Sequence, residues 1–211
     1  MNKEPEDLKR KAHWETVYQT KELKDVSWFQ PNPATSLEFV KQSNLPKSAA
    51  IIDIGAGDSF LVDHLLDMGY TNVSVLDISA SALERAKKRL GKRSHHVKWI
   101  VSDILDFNPT ERYDLWHDRA AFHFLTNNVQ IANYESIAAR ALTEDGNLII
   151  GTFSEIGPKK CSGLDTKQYN EVEMNAVFDK DFTKIKCISE NHKTPSDSIQ
   201  NFLFCSFKKK K

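Results

Sequence analysis

The sequence predicts an α/β fold built on a doubly wound, mostly parallel sheet of seven strands, with helices on both faces and a C-terminal antiparallel hairpin. Apolar segments alternate with segments of helical periodicity through residues 50–153. Such alternation builds a parallel sheet, because each helical crossover must pack back onto the sheet. Beyond that region the alternation stops. Two β-rich segments, 182–193 and 198–208, flank the polar turn "TPSDS", a pattern typical of a hairpin at a sheet edge.

Helix and strand signals follow one another in order through the central region. Glycines end the first two helical segments there, at Gly69 and Gly91. Ser81, with Glu84 three residues later, has the spacing of a capping box and is expected to begin the second of these helices. A later helix is expected to bury an apolar face formed by Ile131, Tyr134, Ile137, Ala138 and Ala141. The five parallel strands are expected at "AAIIDIG", "NVSVLDIS", "HVKWIVSDI", "RYDLWHD" and "GNLIIGTF".

Composition excludes several classes of function. The 211 residues include 29 basic and 29 acidic ones, so the formal net charge is zero. Nothing therefore indicates a general binder of nucleic acids or anionic membranes. No apolar run approaches the length of a membrane-spanning helix, and the first residues carry no hydrophobic signal region. We expect a cytoplasmic protein without nucleic-acid or membrane partners, either a monomer or a homodimer.

The three cysteines, Cys161, Cys187 and Cys205, lie far apart in the sequence. They show neither the paired spacing of a zinc site nor that of a disulfide framework. We therefore expect three reduced thiols and no metal site.

The segment "IIDIGAGDSF" raises the question of a nucleotide-like ligand. Gly55 and Gly57 fit two positions of the dinucleotide fingerprint G-x-G-x-x-G, but Phe60 occupies the third. That difference weakens the interpretation as a nicotinamide-dinucleotide site. A purely structural strand-to-helix turn, for which glycine is the default residue, is another alternative.

Acidic residues end three consecutive strands. Asp53 ends the first, Asp77 follows Gly57 by twenty positions at the end of the second, and Asp103 follows the third. Open parallel sheets bind ligands at the carboxyl ends of their strands, so we expect the three carboxylates to meet there. Asp77 can accept hydrogen bonds from both hydroxyls of a ribose, and Asp103 can meet an adenine amino group. A helix N-cap role for Asp77 and a solvated loop position for Asp103 are the alternatives.

These features resemble the class I, seven-stranded S-adenosylmethionine-dependent methyltransferases, over roughly residues 51–153 and the terminal hairpin. The resemblance implies the strand order 3-2-1-4-5-7-6 and S-adenosyl-L-methionine as the cofactor. It places the glycine turn under the methionine portion, the second acidic tip at the ribose and the third at the adenine. A sulfonium cation is attracted by carboxylates that would repel a pyrophosphate. The expected cofactor-binding residues are Asp53, Gly55, Ala56, Gly57, Asp77, Ile78, Asp103, Ile104, His117, Trp28 and Phe29.

The resemblance implies a single methyltransferase domain over residues 1–211. It also suggests how this domain is divided into three parts. Residues 1–47 are rich in aromatic side chains and are expected to form a lid over the carboxyl ends of the strands. Residues 48–154 are the expected cofactor-binding core. Residues 155–211 are expected to supply a substrate loop, a helix and the terminal hairpin.

The segment "LWHDRAAFHFL" leaves the fourth strand where this family brings its acceptor against the methyl group. Its HDRxxFHFL form resembles a small bacterial branch of the family. Eukaryotic protein-lysine methyltransferases have a similar N-terminal head, but a D-K-G-T-type element stands where this chain has "DRAA". Asp118 and His123 are the candidates for removing a proton from the acceptor. A core position for His123 and an ion pair between Asp118 and Arg119 are the alternatives. The expected acceptor-binding residues are Asp118, Arg119, Phe122 and His123.

We expect a methyltransferase that acts on a small molecule. The loop "EIGPKKCSGLDTKQY", residues 155–169, is long enough to cover the acceptor. A protein lysine is the alternative acceptor. Two other classes stay open, a non-catalytic module that binds S-adenosylmethionine and a nicotinamide-dependent oxidoreductase.

Overall fold

A computed structural model describes residues 6–211, and the first five residues of the expected lid lie outside the described residues. One seven-stranded sheet forms its centre, in the order β3-β2-β1-β4-β5-β9-β8. The strands of this sheet are β1 (Ala50–Ile54), β2 (Asn72–Asp77), β3 (Val97–Val101), β4 (Tyr113–Arg119), β5 (Leu142–Phe153), β8 (Phe182–Lys193) and β9 (Ile199–Lys209).

Strand pairing confirms the expected sheet. The strands from β1 to β5 pair in parallel, whereas β9 is antiparallel to both β5 and β8. The order corresponds to the expected 3-2-1-4-5-7-6. Two further strands of two residues each, β6 (Lys160–Cys161) and β7 (Leu164–Asp165), precede the hairpin. The two hairpin strands, expected as the sixth and seventh, are therefore numbered β8 and β9. The hairpin itself coincides with the two segments that flank "TPSDS".

Helices cover both faces of the sheet. Alternate residues of a strand point to opposite faces, so Ile51 packs in one apolar cluster and Ile52 in another. Side chains of α2, α3 and α4 belong to the first cluster, and side chains of α5 and α6 to the second. None of the helices within residues 6–211 combines the length and the hydropathy needed to traverse a lipid bilayer. The helices are α1 (Glu6–Thr20), α2 (Ala34–Gln42), α3 (Leu61–Asp67), α4 (Ala80–Leu90), α5 (Asn128–Ala141) and α6 (Glu171–Phe178).

The start of α4 differs from the expectation. Its N-cap is Ser79, whose hydroxyl accepts a hydrogen bond from the backbone N–H of Ala82, so the capping box expected at Ser81 is wrong by two residues. The hydroxyl and backbone N–H of Ser81 instead donate to the carboxylate of Glu15 in α1. A side chain of α1 thus helps to hold the start of α4. The sequence of α4 alone gives no sign of this contact. The expected apolar face of α5 is confirmed, because all of its members are buried.

Two of the three cysteines correct the expectation of reduced thiols. Cys187 of β8 and Cys205 of β9 stand directly opposite each other in the antiparallel register and are joined by a disulfide, with their Cα atoms 4.1 Å apart. The hairpin pairing creates this proximity between residues 18 positions apart in the chain. Cys161 is a free, buried thiol.

Candidate active site

A large pocket lies at the carboxyl ends of the parallel strands. The space between its walls is about 1260 Å³, a value that includes the open mouth. Its wall combines the tips of β1 to β4 with side chains of α1, of residues 28–36, of the 155–169 loop and of β9. Within residues 6–211, no group of three or more His, Cys, Asp or Glu side chains is arranged to hold a metal ion.

The glycine turn between β1 and α3 is tightly enclosed. Gly55 and Gly57 have φ angles of 58° and 57°, a left-handed conformation that favours glycine. A Cβ atom at Gly55 would lie 2.3 Å from the Cβ atom of Ala121, and one at Gly57 would lie 2.1 Å from the hydroxyl oxygen of Tyr18. Both the backbone conformation and the close neighbours therefore require glycine at these two positions.

Asp77 is held by the backbone on both sides of its carboxylate. One oxygen accepts from the N–H of Gly57 at 2.7 Å and the other from the N–H of Ser79 at 2.8 Å. Burial raises the pKa of this carboxyl to about 7, although the two backbone hydrogen bonds act in the opposite direction. Its oxygens keep free lone pairs, because an ionised carboxylate offers about four acceptor positions.

A chain of three buried side chains links β1, β4 and α2. The Nδ1 atom of His117 lies 2.7 Å from a carboxylate oxygen of Asp53, and its Nε2 atom lies 2.9 Å from the hydroxyl of Ser36. With the ring proton on Nδ1, His117 donates to Asp53 and accepts from Ser36. The chain fixes the direction of the Asp53 carboxylate at the pocket wall.

Two arginines reach acidic groups at the pocket mouth. Arg10 of α1 donates to one carboxylate oxygen of Asp103 from both Nε, at 2.9 Å, and Nη2, at 2.5 Å, while the other oxygen caps the N–H of Leu105. Arg85 of α4 lies 2.9 Å from the carboxylate of Asp58. Burial raises the pKa of Asp58, and neither of its oxygens has a well-directed hydrogen bond from the described residues.

Aromatic side chains from the N-terminal segment close one side of the pocket. The ring of Trp14 lies 5.8 Å from that of Trp28 and 5.0 Å from that of Phe124. Tyr18 lies 6.2 Å from Trp28, and Phe29 packs against Phe60, the residue in the third fingerprint position. This apolar wall covers the glycine turn and the end of β4.

Asp118 is fully buried below the pocket wall. Its carboxylate accepts from the hydroxyl of Tyr134 at 2.7 Å and from the N–H groups of Ala121 and Phe122 at 3.0 and 3.1 Å. Ala120 has a φ angle of 69°, so these bonds hold a turn in the left-handed region. Burial raises the pKa of Asp118 to about 6. Phe122 is also fully buried and packs on Tyr134.

His123 is fully buried and stacks on Phe153, with the ring centres 4.2 Å apart. Neither ring nitrogen has a hydrogen-bond partner among the described residues. Burial, and to a lesser extent the nearby charge of Arg119, lower the pKa of His123 to about 3. The imidazole is therefore neutral at physiological pH.

Arg119 points into the pocket from the end of β4. Its Nη1 atom donates to the carbonyl of Trp28 at 3.2 Å, and its guanidinium carbon lies 4.8 Å from the ring centre of Phe202. Its Nε atom is buried without a partner. The expected pair with Asp118 is not formed, because that carboxylate is turned toward Tyr134 and the following turn.

The pocket brings together almost all of the expected cofactor residues and few of the expected acceptor residues. Gly57 lies behind the wall, beneath Tyr18, and every other expected cofactor residue lines it. Of the acceptor set only Arg119 lines it. Asp58 also lines the pocket and was not predicted, although its position at the end of "DIGAGD" was a signal. Arg10, Ser36 and Gln200 line it too, and no sequence signal indicated them.

Residues 51–146 match the protein family described as a methyltransferase domain. The malonyl-[acyl-carrier protein] O-methyltransferase 1 of Ilyobacter polytropus is 31% identical over 107 residues, which cover 50% of this chain and 39% of that protein. The EEF1A lysine methyltransferase 2 of Danio rerio is 27% identical over 136 residues, 59% of this chain and 58% of that protein. The chain thus spans less than two thirds of the length of these relatives.

Solved structures have the same fold. The N-methyltransferase NodS from Bradyrhizobium japonicum in complex with S-adenosyl-L-homocysteine superposes with a TM-score of 0.70 at 16% identity, covering 93% of this chain and 98% of that one. The 1,6-didemethyltoxoflavin-N1-methyltransferase of Burkholderia thailandensis gives a TM-score of 0.74 at 16% identity, covering 100% and 92%.

Residues 51–146 therefore resemble a methyltransferase domain, within a chain that has the same fold as these solved methyltransferases. The fold class expected from the sequence is confirmed, and the matched methyltransferases indicate S-adenosyl-L-methionine as the cofactor. The narrower HDRxxFHFL branch stays a prediction.

Proposed function

We propose that this protein transfers a methyl group from S-adenosyl-L-methionine to a small acceptor molecule. One observation carries the proposal: acidic side chains at the ends of three consecutive parallel strands, Asp53, Asp77 and Asp103, line a single pocket. Carboxylates grouped in this way favour a cationic ligand. If the ligand also carries a ribose and an adenine, these groups can donate hydrogen bonds to the carboxylates of Asp77 and Asp103.

The residues of the pocket fit this cofactor. The carboxylate of Asp58 is buried, lies 2.9 Å from Arg85 and accepts no well-directed hydrogen bond among the described residues. Its oxygens can therefore still accept hydrogen bonds from a cationic amino group, although Arg85 already balances part of its charge. We assign Asp53, Gly55 and Ala56 to the methionine portion, with Asp58 beside them and Gly57 supporting the turn from behind the wall. We assign Asp77 and Ile78 to the ribose and base, and Asp103 and Ile104 to the adenine. When bound, the cofactor supplies an electrophilic methyl group on a positively charged sulfur.

The chain contributes alignment and the exclusion of water. Trp14, Tyr18, Trp28 and Phe124 form a continuous apolar wall over the glycine turn. A displacement at carbon requires the attacking atom to lie in line with the bond that breaks, and holding two reactants in that geometry lowers the barrier by several kcal/mol. A water-poor pocket also keeps the acceptor atom free of solvent. We therefore assign these aromatic residues, with Phe29, to closing the site.

We propose that Asp118 and His123 position the acceptor side of the site and do not take a proton. Asp118 already accepts three hydrogen bonds and lies below the wall. A histidine with a pKa of about 3 is a poor base at neutral pH, because an effective base has a pKa near the working pH. His117, with its contacts to Asp53 and Ser36, orients the cofactor side.

A protein lysine is the second candidate acceptor. The similarity to the EEF1A lysine methyltransferase 2 of Danio rerio favours it. The enclosure of the acceptor side by α1 and by the 155–169 loop favours a small molecule instead, because a deep pocket admits a whole small ligand more readily than a folded partner.

Calorimetry with S-adenosyl-L-homocysteine tests the cofactor site. We expect Asp77→Ala to weaken binding by about 1.5–3 kcal/mol, because charge-assisted hydrogen bonds are lost. Asp67→Ala is the matched control, since this carboxylate is exposed on α3 and pairs with Arg93. Equal binding by wild type and Asp77→Ala would contradict the site.

A label-transfer experiment tests the acceptor class. The protein is incubated with tritiated-methyl S-adenosylmethionine and a cell extract separated into small molecules and proteins. We expect label in the small-molecule fraction. Label confined to the proteins would instead support the lysine alternative, and no transfer to either fraction would contradict catalysis.

A further inference from the structure

We infer that Arg119 forms an anion-binding subsite, and that the acceptor is a small apolar molecule that carries a carboxylate. This inference rests on the proposed function and specifies the substrate class of the same pocket. Its basis is a guanidinium on the pocket wall that no described carboxylate neutralises at ion-pair distance.

The protein leaves the hydrogen-bonding capacity of Arg119 largely unused. A guanidinium has five N–H donors. One donor meets the carbonyl of Trp28, and the face of the group lies on Phe202. The Nε atom is buried without an acceptor. A buried donor without a partner costs free energy, so a ligand that supplies acceptors here is bound favourably.

The carboxylates closest to Arg119 are engaged elsewhere or more distant than an ion pair. Asp53 is bonded to His117. Asp118 accepts from Tyr134 and from its own turn. Glu190 of β8 acts on Arg119 electrostatically, but no carboxylate within residues 6–211 lies within 4.0 Å of the guanidinium. Burial lowers the pKa of Arg119 to about 10, so it remains a cation at neutral pH.

The other titratable side chains near Arg119 add no positive charge at neutral pH. Burial lowers the pKa of His123 to about 3 and also lowers that of His192. In both cases the nearby Arg119 adds to the effect. Burial raises the pKa of the Cys161 thiol, so this group stays neutral as well. Among these neighbours, Arg119 alone provides a charge to recognise an anion.

The surroundings indicate the rest of the ligand. Trp28, Phe153, Phe202 and Gln200 line the same side of the pocket. Aromatic walls favour a flat or apolar body, and the planar guanidinium matches the geometry of a carboxylate. An aromatic carboxylate satisfies both requirements.

Binding measurements with paired probes test the subsite. Benzoate and phenylacetate are compared with benzamide and phenylacetamide by calorimetry, on protein saturated with S-adenosyl-L-homocysteine. Each amide keeps the shape of its acid and lacks the charge. We expect the wild type to bind each acid about tenfold or more tightly than its amide, as a charge-assisted contact implies.

Three variants test whether Arg119 is the source of the preference for acids over amides. Arg119→Gln is expected to reduce it to about twofold or less, and Arg119→Lys to leave an intermediate value, because lysine keeps the charge without the planar fork. Arg112→Gln, a change at an exposed arginine of the same β-strand region, is expected to behave as wild type. Affinity for S-adenosyl-L-homocysteine is expected to stay unchanged in Arg112→Gln, and it is measured in both Arg119 variants so that every comparison is made at saturation.

Equal affinity for acid and amide in the wild type would overturn the inference. So would a preference that survives in Arg119→Gln, or the absence of binding by both acids. If Arg119→Gln does not fold, Arg119→Lys decides, since an unreduced preference there also contradicts a guanidinium-specific subsite. The same comparison without S-adenosyl-L-homocysteine separates the two proposals: loss of cofactor binding with a retained acid preference would contradict the proposed function alone.

Discussion

The two halves of the pocket differ in how completely their polar groups are satisfied. On the cofactor half, each acidic strand tip has a fixed partner: Asp53 has His117, Asp77 has two backbone N–H groups, and Asp103 has Arg10. On the acceptor half, formed by the end of β4, the 155–169 loop and β9, Arg119 and His123 keep buried nitrogens without partners. Apart from Asp58, whose buried oxygens accept no well-directed hydrogen bond, the first half is arranged before any ligand binds. In the second half, these buried nitrogen atoms remain available for hydrogen bonds with a ligand.

The largest effect is expected from a change in the arranged half. Gly57→Ala places a Cβ atom where the Tyr18 hydroxyl stands, 2.1 Å away, in a left-handed conformation. We expect the free energy of unfolding to fall by about 2–4 kcal/mol, as strain and overpacking add. Gly69→Ala is the control, because its φ angle is 85° and nothing lies within 4 Å of its Cβ position. We expect about 1 kcal/mol there. Denaturant unfolding measures both, and equal losses would show that Tyr18 does not restrict the turn.

The next effect concerns pH. In the proposed site, ribose hydroxyls would donate to the ionised form of Asp77, whose pKa is raised to about 7 by burial. Protonation removes the charge, so affinity for S-adenosyl-L-homocysteine should fall as pH decreases through 7. The limit is about tenfold per pH unit below that value. Calorimetry between pH 8 and about pH 5.5 checks this expectation. Asp77→Asn should bind weakly and with a much flatter profile, and an unchanged slope in that variant would assign the titration to another group, such as Asp58.

A smaller effect is expected at the junction of α1 with β3. Arg10→Gln removes a partly buried ion pair with Asp103, whose side chains are 17% and 8% exposed. We expect cofactor affinity to fall by about threefold to tenfold, with a weaker dependence on salt than in the wild type. Lys9→Gln, an exposed change on the same helix, should alter neither quantity. A salt dependence that persists unchanged in Arg10→Gln would show that this pair does not hold α1 to the site.

The smallest effect is expected from His123→Phe. The new ring can keep the stacking on Phe153 and removes two buried nitrogens that lack partners. We expect stability to be equal or slightly higher, because a buried polar group without a partner is costly. We expect methyl transfer to change by about threefold or less. A loss of about a hundredfold or more, with a changed pH profile, would restore His123 as a general base.

Periodicity within short segments was enough to predict the sheet, its helices and the hairpin, because a strand or a helix repeats its apolar positions locally. The same reasoning predicted which side chains stand at strand ends, and Asp53, Asp77 and Asp103 do line one pocket. It was less successful after β4. There, the side chains of Asp118, Phe122 and His123 are fully buried and do not line the pocket, a placement that no local pattern indicates.

Local patterns were enough to predict a mostly parallel α/β sheet and the acidic character of the cofactor half, because parallel strands end at one edge of a sheet. The strand order was implied by the resemblance to the class I methyltransferases, and the structure has that order. The three-dimensional structure was needed to show which distant residues meet: Arg10 with Asp103, Ser36 with His117, and Cys187 with Cys205. The first two contacts depend on how helices pack against the sheet, and the disulfide depends on the pairing register of β8 and β9. No local repeat of apolar positions encodes either of these arrangements.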